Sequence, residues 1–287
     1  NIVITSGNIA ITSLPEVEIK NDTGNPIPIS ANTSVNSGTN PIYVDGNITV
    51  TGGNANVTLG GTNVHAFGRL RVSEPFTLFD SNNRYLDGGQ FSNITATGGT
   101  ITYVPAESSF NLAVTAANAS SVINQSFTTQ PYQPGKSLLS FHTFAMGTLR
   151  ANCRQRVGYF TANDGVFFEA DGEDLYLVIR SSASGSLVEE RVPQTSWNTN
   201  TLKTGASPNP AGYNLVPTLT QIFWCDIEWL GVGNVRAGFV INGQFVVCHV
   251  FQHANQAGNT RVYMTTATLN SRYEITNTGA TTGTSTR

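Results

Sequence analysis

The chain has 287 residues, of which 39% are hydrophobic and only 11% charged, with a net charge of −3; an ordinary soluble domain carries about a quarter charged residues. With no basic stripe or polybasic run, the sequence excludes nucleic-acid binding driven by phosphate neutralisation, and no apolar run reaches the ~20 residues of a membrane-spanning helix. Asn, Thr, Ser and Gly stand in for charge, and these suit turns and strand surfaces better than helix interiors, so an all-β protein is expected.

Residues 1–64 contain no Phe, Trp, Cys, Met or Arg, and Tyr43 is their single aromatic residue. The segment repeats itself, "NIVITSGNIAIT" (1–12) matching "NITVTGGNANVT" (47–58). So few large apolar side chains cannot bury enough surface to fold alone. Its Val/Ile/Thr alternation is strand-like, which predicts an extended docking arm, or a small β module, that gains order by pairing with a neighbour. Within it, "NDTGNPIPIS" (21–30) reads as a turn and a proline-broken extended piece.

Residues 65–135 form a β-rich connecting region, with short alternating runs in "AFGRLRVSEPFTLFDS", "TGGTITYVP" and "SSVINQSFTTQ". "QPYQPGK" (130–136) marks a break. Residues 136–275 then supply regular strand candidates: "LLSFHTFAMG", "NCRQRVGYF", "GVFFEA", "DLYLVIRS", "LVEERV", "QIFWCDIEWL", "VRAGFVI", "QFVVCHVF" and "RVYMTTATL". Turn signals such as Asp171-Gly172, Ser184-Gly185 and Asn242-Gly243 separate them. Many short strands at near-regular spacing predict a β-sandwich or jelly-roll-like domain. The polar tail, 276–287, is expected to be extended or mobile.

"FWCDIEWLGVGNVRAGFVINGQF" (223–245) carries Asp226 and Glu228 between two tryptophans. Asn242-Gly243 signals a two-residue hairpin, pairing Ile241 with Gln244 and, by counting back, Arg236 with His249. A Gly231-Val232-Gly233 loop would pair Glu228 with Arg236. One face then carries Phe223, Cys225, Ile227, Trp229, Val235, Ala237, Phe239, Val246, Cys248 and Val250. The other carries a structural ion-pair row of Glu228, Arg236 and His249, flanked by Asp226. The two carboxylates would lie about 6.6 Å apart along the strand, near the roughly 5 Å of a retaining glycosidase pair. An arginine opposite Glu228 holds it ionised, however, whereas a general acid needs its pKa raised. A structural role is therefore expected, and catalytic residues are not.

The remaining candidates are weaker. His249 and His253, four apart on a strand, are separated by about 13 Å, too far for one metal ion. "DGED" (171–174) with Asp164 lacks the ordered ligand series of a calcium loop. No metal and no cofactor are expected. Cys153, Cys225 and Cys248 give no disulfide framework or zinc spacing, so buried thiols in a reducing cytoplasm are expected. Trp197 in "TSWNTNTL" and Tyr213 in "NPAGYNL" could stack on sugar rings.

Several stretches resemble segments of virion structural proteins from tailed phages, especially those infecting marine cyanobacteria: "VEIKNDTGNPIPIS", "FGRLRVSEPFTLFDS", "QRVGYFTANDGVFFEADG", "FWCDIEWLGVGNVRAGFVINGQ" and "RYEI", spanning residues 17–275. The resemblance implies a non-enzymatic particle component, associated with tail, fibre or baseplate or decorating the capsid. Its partners would be copies of itself and other virion proteins. The alternative is a host-receptor or glycan-binding module of a tail fibre, with a host-surface glycan as partner. A depolymerase acting through Asp226 or Glu228 is a third reading.

Overall fold

The computed structural model describes residues 76–86 and 89–286; the arm expected over 1–64 and the start of the 65–135 region lie outside the described residues. Among the described residues the regular structure is all β apart from one 3-10 turn at Gln194–Ser196. A seven-stranded antiparallel sheet runs in the order β1 (Phe91–Ala96), β4 (Ser121–Ser126), β13 (Ser271–Asn277), β6 (Cys153–Phe160), β7 (Gly165–Asp171), β8 (Asp174–Ser181) and β9 (Val188–Pro193). A four-stranded sheet runs β12 (Gln244–Phe251), β11 (Val235–Ile241), β10 (Gln221–Ile227), β5 (Leu138–Phe144). A third comprises β14 (Thr284–Thr286), β3 (Ser109–Val114) and β2 (Thr100–Val104).

Strand alternation explains the layering. On β6–β8, Val157, Tyr159, Val166, Phe168, Leu177 and Ile179 are buried and face the four-stranded sheet, which answers with Phe223, Cys225, Ile227, Ala237 and Phe239. The Phe168 and Phe239 rings meet edge to face, centroids 5.1 Å apart. Each such aromatic contributes about 1.5–3 kcal/mol by burial. The three-stranded sheet packs beside this core, placing Leu112 and Val114 against Val122, Cys153 and Ile275. The architecture is a β-sandwich in which two smaller sheets lie on the inner face of one large sheet.

Four expectations change. The break at 130–136 is not a boundary between sheets, because β1 and β4 precede it and sit in the same sheet as β6–β9. The polar tail is tied down, since β14 pairs antiparallel with β3. "RVYMTTATL" (261–269) is not a strand. Its backbone N–H groups serve other acceptors: Thr265 donates to Asp164 Oδ1 (2.8 Å), Tyr263 to the Gly231 carbonyl (3.1 Å) and Leu269 to the Tyr159 hydroxyl (3.0 Å). The strand at this end is instead β13, two residues further on. Finally, β1 and β3 form from "FSNITA" and "SFNLAV", which were not among the expected runs.

Candidate functional site

Asn242 and Gly243 take φ values of 52° and 75°, the two positive values a type I′ turn needs, and Ile241 pairs with Gln244. Beyond Phe239 the register departs from expectation. A bulge between Ala237 and Gly238 sets Gly238 against Val247 and Ala237 against His249, leaving Cys248 as the extra residue. A Cβ on Gly238 would lie 2.0 Å from the Val246 carbonyl oxygen, so this approach requires glycine. The one-residue slip brings Phe251 into the core in place of Val250.

The neighbouring hairpin also closes one residue early. The Gly233 N–H donates to the Trp229 carbonyl (2.7 Å), with Leu230 and Gly231 both at positive φ. Arg236 therefore faces Asp226 rather than Glu228, with Nη2 2.6 Å from Asp226 Oδ2. Glu228 is fully buried beyond the end of β10, and its N–H donates to Asn234 (3.4 Å). His249 leaves the row altogether. Its Nδ1 accepts the Asn198 N–H (3.2 Å), and burial pulls its pKa down to about 4. The expected register of the four-residue row is not formed: Arg236 stands opposite Asp226, and His249 lies against Asn198.

The other candidates are mostly structural. Trp197 is 1% exposed, donates Nε1–H to the Val192 carbonyl (3.1 Å) and stacks on Phe239; it cannot offer a face to a sugar. Tyr213 is half-buried, its hydroxyl accepting from Asn242 Nδ2 (3.4 Å). His253 is buried, stacked on Tyr263, and donates Nδ1–H to the Gly233 carbonyl (2.8 Å). Asp164 accepts from the N–H and hydroxyl of both Thr265 and Ser182, and Asp171 pairs with Arg154 and Arg191, so these two carboxylates are committed internally. Among the described residues no three His, Cys, Asp or Glu side chains converge as a metal site.

A larger ion-pair array lies on the outer face of the seven-stranded sheet. Arg272 donates to Gln125 (2.7 Å) and twice to Glu274 (3.0 and 2.6 Å). Arg156 bridges Glu274 (2.9 Å) and Glu169 (2.6 Å). Arg191 lies over the Tyr176 ring and reaches both Glu169 and Asp171, and Arg154 closes the chain on Asp171 (3.0 Å). Burial alone would raise the Glu274 pKa, but Arg156 and Arg272 outweigh it and hold the carboxyl below its usual range. Gly158 makes room beneath: a Cβ there would meet the Phe167 Cα at 2.6 Å. The signal was present in sequence as opposite charges at i, i+2 on successive strands, Arg154/Arg156 against Glu169/Asp171.

A cleft of about 920 Å³ lies between the two smaller sheets. Asn124 and Tyr273 of the large sheet line it, with Phe110 of β3 on one side and Thr143 and Phe144 of β5 on the other. Its rim residues Ala145, Thr220, Gln221 and Val240 also line a second hollow of about 610 Å³ that contains Tyr213, so the two adjoin. No local motif announces a site assembled from three sheets.

No protein-family model matches the chain, and no curated protein matches it in sequence. Among solved structures it is similar to the botulinum neurotoxin serotype C1 binding domain (12% identity, TM-score 0.37) and the receptor binding domain of botulinum neurotoxin D (6%, 0.37). A third is a structure of botulinum neurotoxin type C, whose cell entry is described as dependent upon interaction with two ganglioside molecules (10%, 0.36). The matches cover 70% of this chain and 43%, 44% and 42% of those chains, so it spans less than half their length. A likeness of this degree assigns neither family nor function.

Proposed function

We propose that this chain is a non-enzymatic structural component of a tailed-phage virion, assembled in the host cytoplasm and held in the particle by strand docking with copies of itself and other virion proteins. The observation that carries the reading is the contrast between the two ends of the large sheet. β9 has Glu189, Glu190, Arg191 and Pro193, the residues that guard an edge against further pairing. β1, "FSNITA", has no charge, Pro or Gly, and its Ile94 is 48% exposed. Among the described residues β1 pairs on one side only. Such an edge is a template for an incoming strand. The five phage-like stretches support the placement in a particle. The salt-bridged state of Glu169, Glu274, Asp171 and Asp226 supports a holding role, since a general acid must be free to give up a proton. Mass spectrometry of gradient-purified particles tests the reading. The chain should co-purify at a fixed stoichiometry; its confinement to the soluble lysate would defeat the proposal.

A second reading, recognition of a host-surface glycan, is favoured by the cleft, whose lining combines aromatic rings with amides and hydroxyls. Saturable binding of oligosaccharide by the full chain would support it, and its absence would count against it.

A further inference from the structure

We infer that the gap between the two smaller sheets, continued into the Tyr213 hollow, is a binding site for a neutral oligosaccharide. The inference rests on the glycan reading above and adds its location and ligand class. Size comes first. At about 920 Å³ the cleft is near the top of the range for small-ligand sites, and the adjoining hollow of about 610 Å³ lengthens it in one direction. Two adjoining hollows that share Ala145, Thr220, Gln221 and Val240 suit a chain of sugar units better than a single compact ligand.

Charge selects the class. No Lys, Arg or His is among the described residues lining either hollow, and Glu107 is the sole charged one. A phosphate, sulfate or sialic-acid carboxylate would find no cation among the described lining residues and would meet the Glu107 carboxylate. The polar groups are amides and hydroxyls. Asn124 commits one N–H to Asn93 Oδ1 (2.6 Å), which leaves its own oxygen as an acceptor. The Tyr273 hydroxyl has no hydrogen-bond partner among the described residues, and burial pushes its pKa up to about 12, so it stays a neutral donor. Gln221 stands on the shared rim. Amide and hydroxyl pairs match vicinal sugar hydroxyls, while a purely apolar ligand would strand them without partners. Phe110 and Tyr213 supply ring surface for the C–H faces of the sugars.

The test is a printed array of neutral hexose and N-acetylhexosamine oligosaccharides with sialylated and sulfated counterparts, probed with the full chain, followed by calorimetry on the best neutral ligand. Thr143→Arg, at an exposed position in the lining, should weaken binding about tenfold or more while leaving the melting temperature unchanged. Leu187→Arg, exposed and outside both hollows, should bind as the parent does. Tyr213→Ala should weaken longer oligosaccharides more than shorter ones, and Glu107→Lys should admit acidic ones. Neutral-glycan binding that survives Thr143→Arg would overturn the site but leave the glycan reading standing. Equal binding of acidic and neutral glycans would overturn the ligand class. No saccharide bound at all, or an extended peptide bound instead, would overturn the glycan reading itself.

Discussion

Arg156 Nε lies 2.6 Å from Glu169 Oε2 across the β6–β7 ladder, and the Glu169 side chain is entirely shielded from solvent. The same carboxylate also receives Arg191 from two strands away, so one buried anion fastens three strands. Removing it leaves Arg156 with Glu274 alone and Arg191 with Asp171 alone, so two carboxylates must answer a cation array that three answered before. Glu169→Ala is expected to destabilise the fold by about 3–5 kcal/mol. Arg154→Ala, where the side chain is 31% exposed, should cost about 1 kcal/mol or less. Urea unfolding of the full chain measures both, and equal effects would contradict the account.

Trp197→Ala should destabilise by about 3–5 kcal/mol, because a fully buried indole stacked on Phe239 leaves a cavity and an unpaired Val192 carbonyl. At a temperature where the variant remains folded, its affinity for any saccharide should match the parent. A selective loss of saccharide binding without a loss of stability would place the indole at a surface.

Stability should fall with acid over a defined window. Burial holds His142 at about 3 and His249 at about 4, against about 6.5 in an unfolded chain. Both stay neutral in the fold while the unfolded chain takes up protons below about pH 6.5. Stability is therefore full above that point and declines toward pH 4, by up to ~1.4 kcal/mol per unit for each residue. Glu274, with its pKa depressed, adds a further loss as pH falls through the ordinary carboxylate range and below it. Urea midpoints measured from about pH 7.5 to about pH 4.5 report the slope, and His142→Leu should flatten it; a slope unchanged in that variant would reject the assignment.

Cys153, Cys225 and Cys248 are all buried and free, and burial raises each thiol, Cys153 to about 11. Thiolate is the reactive form. A thiol reagent at neutral pH should label none in the native chain and all three in denaturant; fast labelling of the native protein would mean that the core is open.

The parts of this fold readable from sequence are those where local pattern and tertiary environment agree. β6–β8 and β10–β12 are legible because their apolar runs supply the core between the two sheets, and Asn242-Gly243 fixes its turn by backbone chemistry alone. What was not readable depends on contacts distant in sequence. The bulge at Gly238 is one residue's departure from alternation, yet it moves His249 out of the expected row. Trp197 sits among Thr and Asn, and only the distant Phe239 shows it to be core. β13 reads as polar because its outward Arg272 and Glu274 belong to a charge array completed by β6 and β4. The cleft joins residues from Phe110 to Tyr273, a span no short motif covers.

Light scattering on the full chain, alongside its Ile94→Lys variant, bears most directly on the claim that this protein works by offering an open strand edge to its neighbours. The parent should run as a defined oligomer, a whole multiple of the single-chain mass. A lysine in the middle of β1 should shift it toward monomer without lowering its melting temperature. A parent that stays monomeric at every concentration, or an oligomer indifferent to the lysine, would contradict the account.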